Sequence, residues 1–171
     1  MKKVSFIIVL FLSFFMLTSC TSNETKKSDE PANLKEITGN IIKAKLDKDG
    51  NILIDKKDIT YDATYISYDY EGVTIGLLAV KDSKGEIIVV VNTCQSCGGS
   101  PYAYFVQVGN QVQCQNCGNM FDIDGLHTLE PDGCNPIGIE ERVDTKDTIT
   151  IGVKQLQKLK NKFTNWQGPK A

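Results

Sequence analysis

Histidine is almost absent from this sequence, with one residue, His127, in a chain of 171. A covalently bound c-type haem requires C-x-x-C-H, and glycine follows both cysteine pairs here, so that class is excluded. The chain also lacks an excess of positive charge, with 19 basic and 21 acidic residues. It has no basic patch with interleaved aromatic residues, so nucleic acid is not expected as a partner. No nucleophile–base pair or carboxylate pair indicates a hydrolase or a transferase, so we do not predict an enzyme.

A long membrane span is missing as well, although the chain begins with an apolar stretch. Lys2 and Lys3 precede fourteen mostly apolar residues at positions 4–17, which is short for a spanning helix and has the layout of a secretory signal. The stretch ends in Leu-Thr-Ser-Cys20, which resembles the lipobox of bacterial lipoproteins. We predict a signal peptide at residues 1–19 and a diacylglycerol on the sulfur of Cys20 that binds the membrane. The alternative is an uncleaved anchor, and either reading places the domain on the extracytoplasmic face of the membrane.

The remainder of the chain divides into a tether and one domain. Residues 20–35 are polar and carry charges of both signs, so we predict a flexible tether. Residues 36–166 are predicted to form a mainly β domain, because short runs of strand-forming residues alternate with turn signals. The predicted strands are 41–46, 52–54, 63–70, 73–80, 86–91, 102–108, 111–114 and 148–153, the first two pairing across Asp49 and Gly50. A single helix is predicted at 154–165.

Five of the six cysteines lie between positions 94 and 134, although a domain of this size does not need cysteines in order to fold. The first four follow the pattern C-x2-C-x16-C-x2-C and are Cys94, Cys97, Cys114 and Cys117. This spacing is typical of zinc ribbons. Each C-x2-C pair forms a turn, called a knuckle below, in which both sulfurs can point at one ion, and a hairpin between the pairs brings the two knuckles together. Gly98 and Gly118 follow the pairs and can take positive φ, so that backbone N–H groups face sulfur. We therefore predict a metal site of four cysteine sulfurs.

Other uses of the paired cysteines stay open as alternatives. Structural disulfides are compatible with an oxidising location. A redox dithiol normally stands at the start of a helix, whereas Gly-Gly-Ser-Pro follows Cys97 directly. A structural zinc ion would make the protein a binding module that presents loops to a partner, without redox chemistry.

A longer pattern surrounds the two knuckles. It consists, in order, of ATYISYDYEGV, LLAVKDSKGEI, NTCQSCGG, YAYFVQVGNQVQCQNCGNMFDIDG and GCNPIGI. In this combination, residues 63–139 resemble the membrane iron–sulfur FtrD-like domain family of bacterial iron-uptake systems. The resemblance implies an iron–sulfur cluster or mononuclear iron, whereas the cysteine spacing by itself leaves zinc as the alternative. It also implies transfer of single electrons in a route that couples ferrous iron oxidation to uptake, with redox or iron-transport proteins as partners. Many members carry the domain on a polytopic membrane protein, whereas this chain is predicted to have only a lipid anchor.

The second knuckle and its sequel, CQNCGNMFDIDG, also resemble the cluster-binding loop of Rieske proteins, with cysteines where histidines are expected. The expected fold is a small sandwich-like or barrel-like β domain. It would carry a zinc-ribbon or Rieske-like double-knuckle metal subdomain and one C-terminal helix.

The roles of several residues near the knuckles can each be interpreted in two ways. Given the family resemblance, Cys134 is expected beside the site as a further ligand or a neighbouring thiol, rather than as a plain loop cysteine. His127 is a candidate further ligand, although a surface loop residue is the main expectation. Four aromatic residues are expected to pack in the core and to cover the site: Tyr102, Tyr104, Phe105 and Phe121. Four acidic residues are expected to form a solvated rim: Asp122, Asp124, Glu130 and Asp132.

Overall fold

The computed structural model describes residue 37, residues 39–128 and residues 133–170. Its strands are β1 (Asn40–Lys43), β2 (Lys45–Leu46), β3 (Ile52–Asp55), β4 (Thr64–Tyr70), β5 (Val73–Lys81), β6 (Ile87–Cys94), β7 (Phe105–Val108), β8 (Gln111–Cys114), β9 (Met120–Asp122), β10 (Pro136–Gly138), β11 (Arg142–Asp144) and β12 (Thr148–Ile151). The α-helix α1 (Val153–Gln157) follows, and 3₁₀ helices cover Lys56–Asp58, Ile123–Thr128 and Lys160–Phe163. No helix in these residues is long and apolar enough to span a bilayer. The predicted signal peptide, Cys20 and the tether lie outside the described residues.

The strands form three sheets, and a five-stranded sheet lies between the other two. Its strand order is β1-β4-β5-β6-β10, and the flanking sheets have the orders β11-β12-β3-β2 and β7-β8-β9. Neighbouring strands are antiparallel, except for the parallel pair β1 and β4. The fold is therefore mainly β and sandwich-like, as the sequence predicts.

The central sheet has an apolar layer on each face. Leu77 and Val89 pack with residues of the four-stranded sheet, whereas Leu78 and Val90 pack with residues of the three-stranded sheet. Because both faces of β5 and β6 are covered, these strands read as continuous apolar runs instead of alternating with polar residues. The expectation of a buried strand in EIIVVV is confirmed, and this strand ends at the first cysteine of the first knuckle.

The segment predicted as one strand at 41–46 is divided between two sheets, so that prediction is wrong in its boundaries. Strand β1 pairs in parallel with β4, and β2 pairs with β3 across the predicted Asp-Gly turn. At the division, the backbone N–H of Ala44 donates to the carbonyl oxygen of Ser67 at 2.8 Å. A chain that passes from one sheet of a sandwich to the other makes such a corner.

The C-terminal helix is shorter than the predicted 154–165. Helix α1 has five residues, begins after Gly152 without a side-chain cap, and is followed by the 3₁₀ helix Lys160–Phe163. Lys154, Lys158 and Lys162 repeat at intervals of four residues. Like charges at that spacing destabilise an α-helix, and the missing cap removes a further contribution. The predicted apolar face is partly retained, since Leu156 and Phe163 are buried.

Candidate metal centre

The first knuckle begins where strand β6 ends. Cys94 is the last residue of the strand, and the backbone N–H of Cys97 donates to its sulfur at 3.4 Å. Gly98 does not take the positive φ that the sequence suggested; Gly99 does, at +101°. A Cβ at position 98 would lie 2.9 Å from Cγ of Lys162, so this glycine serves close packing instead. The turn therefore rests on the 3₁₀ helix Lys160–Phe163.

The second knuckle has the same design at the end of β8. Cys114 ends the strand, and the backbone N–H of Gly118 donates to its carbonyl oxygen at 2.8 Å. Gly118 has φ of +78°, as the sequence predicts. The backbone N–H groups of Asn116 and Cys117 point at the sulfur of Cys114. Each knuckle thus directs backbone donors at its first sulfur, which stabilises negative charge there.

The hairpin between the knuckles brings them together. Strands β7 and β8 pair with Phe105 opposite Cys114. The hydroxyl of Ser100 lies 2.6 Å from Oδ1 of Asn116, so a hydrogen bond joins one knuckle to the other. As a result, the sulfurs of Cys97, Cys114 and Cys117 lie within 4.8 Å of one another.

A third segment adds Cys134. The backbone N–H groups of Gln95 and Ser96 donate to the carbonyl oxygens of Asn135 and Gly133, at 3.1 and 3.2 Å. These bonds hold the loop against the first knuckle, and Cys134 joins Cys94 and Cys97 in a second group within 4.8 Å. The five residues Cys94, Cys97, Cys114, Cys117 and Cys134, called the cysteine cluster below, therefore form two groups that share Cys97.

The sulfur separations suit metal binding. Sulfurs bound about 2.3 Å from one tetrahedral ion lie roughly 3.8 Å apart, which is within the 4.8 Å that limits each group. All five cysteines are free thiols in the structure. The sequence expectation that Cys134 lies near the knuckles agrees with this geometry.

The five thiols differ in their burial. Cys94 and Cys114 are fully buried, Cys97 and Cys134 are half-buried, and Cys117 is exposed. Burial raises the pKa of the Cys97 thiol, and it raises that of Cys114 more strongly. A nucleophilic dithiol needs the opposite shift. A bound cation would replace the protons and balance the thiolate charge.

Orphaned polar atoms beside Cys94 provide a test of whether the site fits a metal or an iron–sulfur group. Asn92 stands on the same strand face as Cys94, and its Oδ1 accepts the Phe105 N–H at 2.8 Å. Its Nδ2 is buried and has no hydrogen-bond partner among the described residues, as is true of Oγ1 of Thr93. Five soft sulfur ligands with a spare buried donor near them fit an anionic iron–sulfur or iron–thiolate group.

The aromatic residues divide between two places. Phe105 is fully buried in the same core as Cys94 and Cys114, and its ring meets Phe121 edge to face at 6.0 Å. Tyr102 and Tyr104 instead pack in a separate cluster with Val106 and partly buried Trp166. Core packing is thus observed for all four, and only the two phenylalanines lie on the cysteine side.

The structure does not group His127 with the cysteines. Its ring lies beside Asp82 and Glu86, two residues that the sequence analysis did not select. No spacing pattern could have revealed them, because Asp82 and His127 are 45 positions apart. Asp124, one residue of the expected solvated acidic rim, is exposed and accepts two hydrogen bonds from Ser83.

Of the other predicted rim residues, Asp122 accepts one hydrogen bond from Gln111. Glu130 and Asp132 lie outside the described residues.

Fold and site together define a β-sheet protein with a cysteine-rich candidate metal centre built on two knuckles. The family model described as membrane iron-sulfur containing protein FtrD-like matches residues 59–163, and the chain belongs to this family. The matched range contains the whole cysteine cluster. Neither the comparison with curated proteins nor that with solved structures gave a match. The family indicates an iron-related function in a membrane-associated protein.

Proposed function

We propose that this protein is an electron carrier of iron uptake, held at the extracytoplasmic face of the cell membrane by a diacylglycerol on Cys20. Cys94, Cys97, Cys114 and Cys117 would hold an iron–sulfur cluster or mononuclear iron, with Cys134 as a further ligand or an adjacent thiol. The observation that carries the proposal is the convergence of five sulfurs into two groups that share Cys97.

The bound iron would supply one-electron chemistry, and the chain would set its conditions. Backbone N–H groups at each knuckle donate to sulfur, which stabilises the more negative, reduced state. The buried Phe105 ring excludes water on the inner side. The protein thus contributes ligands, hydrogen bonds and a partly dry shell, while iron contributes the redox change.

One side of the cluster is accessible to a partner. Cys117 is exposed, and Met120, which pairs with Gln113 in the same small sheet, is 41% exposed. We propose that a redox or iron-transport protein docks on this surface, where the path from sulfur to solvent is short.

Anaerobic purification tests the function directly. The expected protein is coloured, contains iron with or without acid-labile sulfide, loses its visible bands on reduction by dithionite, and regains them on oxidation. A colourless protein with one equivalent of zinc would contradict electron transfer and would indicate a structural ion. Mass measurement of thiols before and after reduction distinguishes both from disulfides, which would add two hydrogens for each reduced bond.

A further inference from the structure

A second set of metal-ligating side chains lies apart from the cysteine cluster. The Nε2 atom of His127 is 3.3 Å from Oδ2 of Asp82 and 3.9 Å from Oε2 of Glu86. One ligand atom from each residue lies within 4.8 Å of the other two. Ligand atoms about 2.1 Å from a shared ion stand roughly 3.0 Å apart at octahedral angles and 3.4 Å at tetrahedral angles. The separation of His127 from Asp82 thus lies within this range, and its separation from Glu86, a largely exposed side chain, is about 0.5 Å longer than the tetrahedral value.

Asp82 is held in position before any ion binds. Its side chain is 4% exposed, and it stands at the start of the turn that joins β5 to β6. Oδ1 accepts the backbone N–H groups of Lys84 and Glu86, at 2.9 and 2.8 Å. Oδ2 is left facing His127, so a buried carboxylate oxygen points into the proposed site.

His127 is fixed relative to this turn by a second contact. It lies on the 3₁₀ helix Ile123–Thr128, which also carries Asp124. The two carboxylate oxygens of Asp124 accept the backbone N–H of Ser83 at 2.8 Å and its hydroxyl at 2.7 Å. Because Ser83 follows Asp82 directly, the helix and the turn are tied together beside the three ligands.

We propose that Asp82, Glu86 and His127 bind a divalent first-row transition-metal ion at a site separate from the cysteine cluster. Imidazole with two carboxylates suits such ions, and water would complete the coordination. Nε2 would ligate as the lone-pair nitrogen, with the ring hydrogen on Nδ1. Glu86 directly precedes β6 and Cys94 ends it, eight residues further on, which is roughly 26 Å of extended chain. The two sites would therefore bind their metals independently.

The surroundings leave room for the ion and its waters. Glu86 and His127 are 69% and 39% exposed, and they line an open cavity of about 410 Å³. Lys56 and Arg142 line the same cavity, but Asp144 accepts from both, at 2.9 and 3.0 Å. Asp144, which lines the cavity too, thus partly balances their positive charge, and the carboxylates of Asp82 and Glu86 remain for the cation.

The single histidine permits a direct test, because its imidazole C–H signals in a proton NMR spectrum need no assignment by mutation. Full-length protein without an affinity tag, in detergent, would be titrated with Mn²⁺, a paramagnetic ion that prefers carboxylate and water oxygens to thiolate. We expect equimolar Mn²⁺ to broaden the His127 signals. Signals unaffected by a tenfold excess of Mn²⁺ would overturn the proposal.

Variants separate ligands from mere neighbours. Glu86→Gln removes one ligand charge at a side chain that is 69% exposed, so the fold is expected to persist. The variant should need at least tenfold more Mn²⁺ for the same broadening. Glu140→Gln, an equal charge change at an exposed position outside the site, should behave as the wild type. Equal Mn²⁺ dependence of the two variants would overturn the assignment.

A cysteine variant tests independence from the proposed electron carrier. Cys97→Ser should lose the iron centre and still show the same broadening of His127. A protein that binds Mn²⁺ in this way but is never coloured would retain the second site while the proposed function fails. Loss of the broadening in Cys97→Ser would overturn the separate site.

Discussion

Ser96 donates two hydrogen bonds to the carbonyl oxygen of Gly133, from its backbone N–H at 3.2 Å and from its hydroxyl at 2.9 Å. Both knuckles could form without this contact. It adds the loop with Cys134, so that two cysteine pairs become a cluster of five.

Replacing Ser96 by alanine removes the hydroxyl bond and leaves the backbone bond in place. We expect the free energy of unfolding to fall by about 0.5–1 kcal/mol. Iron should leave the protein several-fold faster in the presence of a chelator, because Cys134 is held less firmly. The control is Ser67→Ala on β4, two strands away from β6 in the central sheet, which removes a hydroxyl bond to the carbonyl oxygen of Ile42 at 3.2 Å. Equal iron release from the two variants would argue against a role for this contact in metal retention.

Cys97 should be the least replaceable cysteine. Its sulfur belongs to both groups, whereas those of Cys117 and Cys134 belong to one each. We expect Cys97→Ser to lose nearly all bound iron. Cys134→Ser should keep a coloured centre with a shifted spectrum. The iron content per chain and the visible absorption spectrum measure both outcomes. An equal loss of iron in the two variants would show that membership of both sulfur groups does not make Cys97 more important for iron binding.

The anchor depends on one sulfur. Cys20→Ser should abolish the incorporation of labelled palmitate by growing cells, because the diacylglycerol would be attached through that thioether. Cys134→Ser, an identical change in the folded domain, should be labelled as the wild type. Labelled Cys20→Ser protein would refute the lipoprotein assignment.

The parts of the site that depend on local pattern could be predicted from the sequence. Each knuckle is a short motif at the end of a strand, and the hairpin between them has its own turn signal at Gly109 and Asn110. The burial of β6 on both of its faces could be predicted from its continuous apolar run. In these cases the residues that determine the structure lie within a few positions of one another in the sequence.

Contacts between distant segments could not be predicted in the same way. Asp82 and His127 lie together where Asp124 ties a 3₁₀ helix to the turn after β5. The corner at Ala44 depends on which sheet edge is free to accept each half of the segment. Both features depend on how distant segments pack together in the folded protein, and the spacing of residues along the chain does not reveal that packing.

Gly76 is expected to be a sensitive position in the core. A Cβ there would overlap the Trp166 ring. This ring also packs edge to face on Phe163 and Tyr104, with centroids at 5.2 and 6.1 Å, so it has little freedom to move. Gly76→Ala should destabilise the protein by about 1–3 kcal/mol in urea unfolding. Gly138→Ala is the control, since nothing lies within 4 Å of its Cβ position; similar losses in both variants would count against the packing explanation.

Asp144 should stabilise the fold in a pH-dependent manner. Hydrogen bonds from Arg142, together with Lys56, lower the pKa of Asp144 to about 2. An aspartate has a pKa of about 3.9 in unfolded chains, so the stabilisation is complete above that pH and is lost as the pH falls towards 2. Because the side chain is 39% exposed, solvent screening reduces the contribution to about 1 kcal/mol or less.

Asp144→Asn should therefore be less stable than the wild type at pH 6, and the difference should vanish near pH 2 and shrink in high salt. Asp49→Asn, at an exposed turn, is the control, and a wild-type advantage over Asp144→Asn that persists unchanged at pH 2 would exclude the ionic explanation.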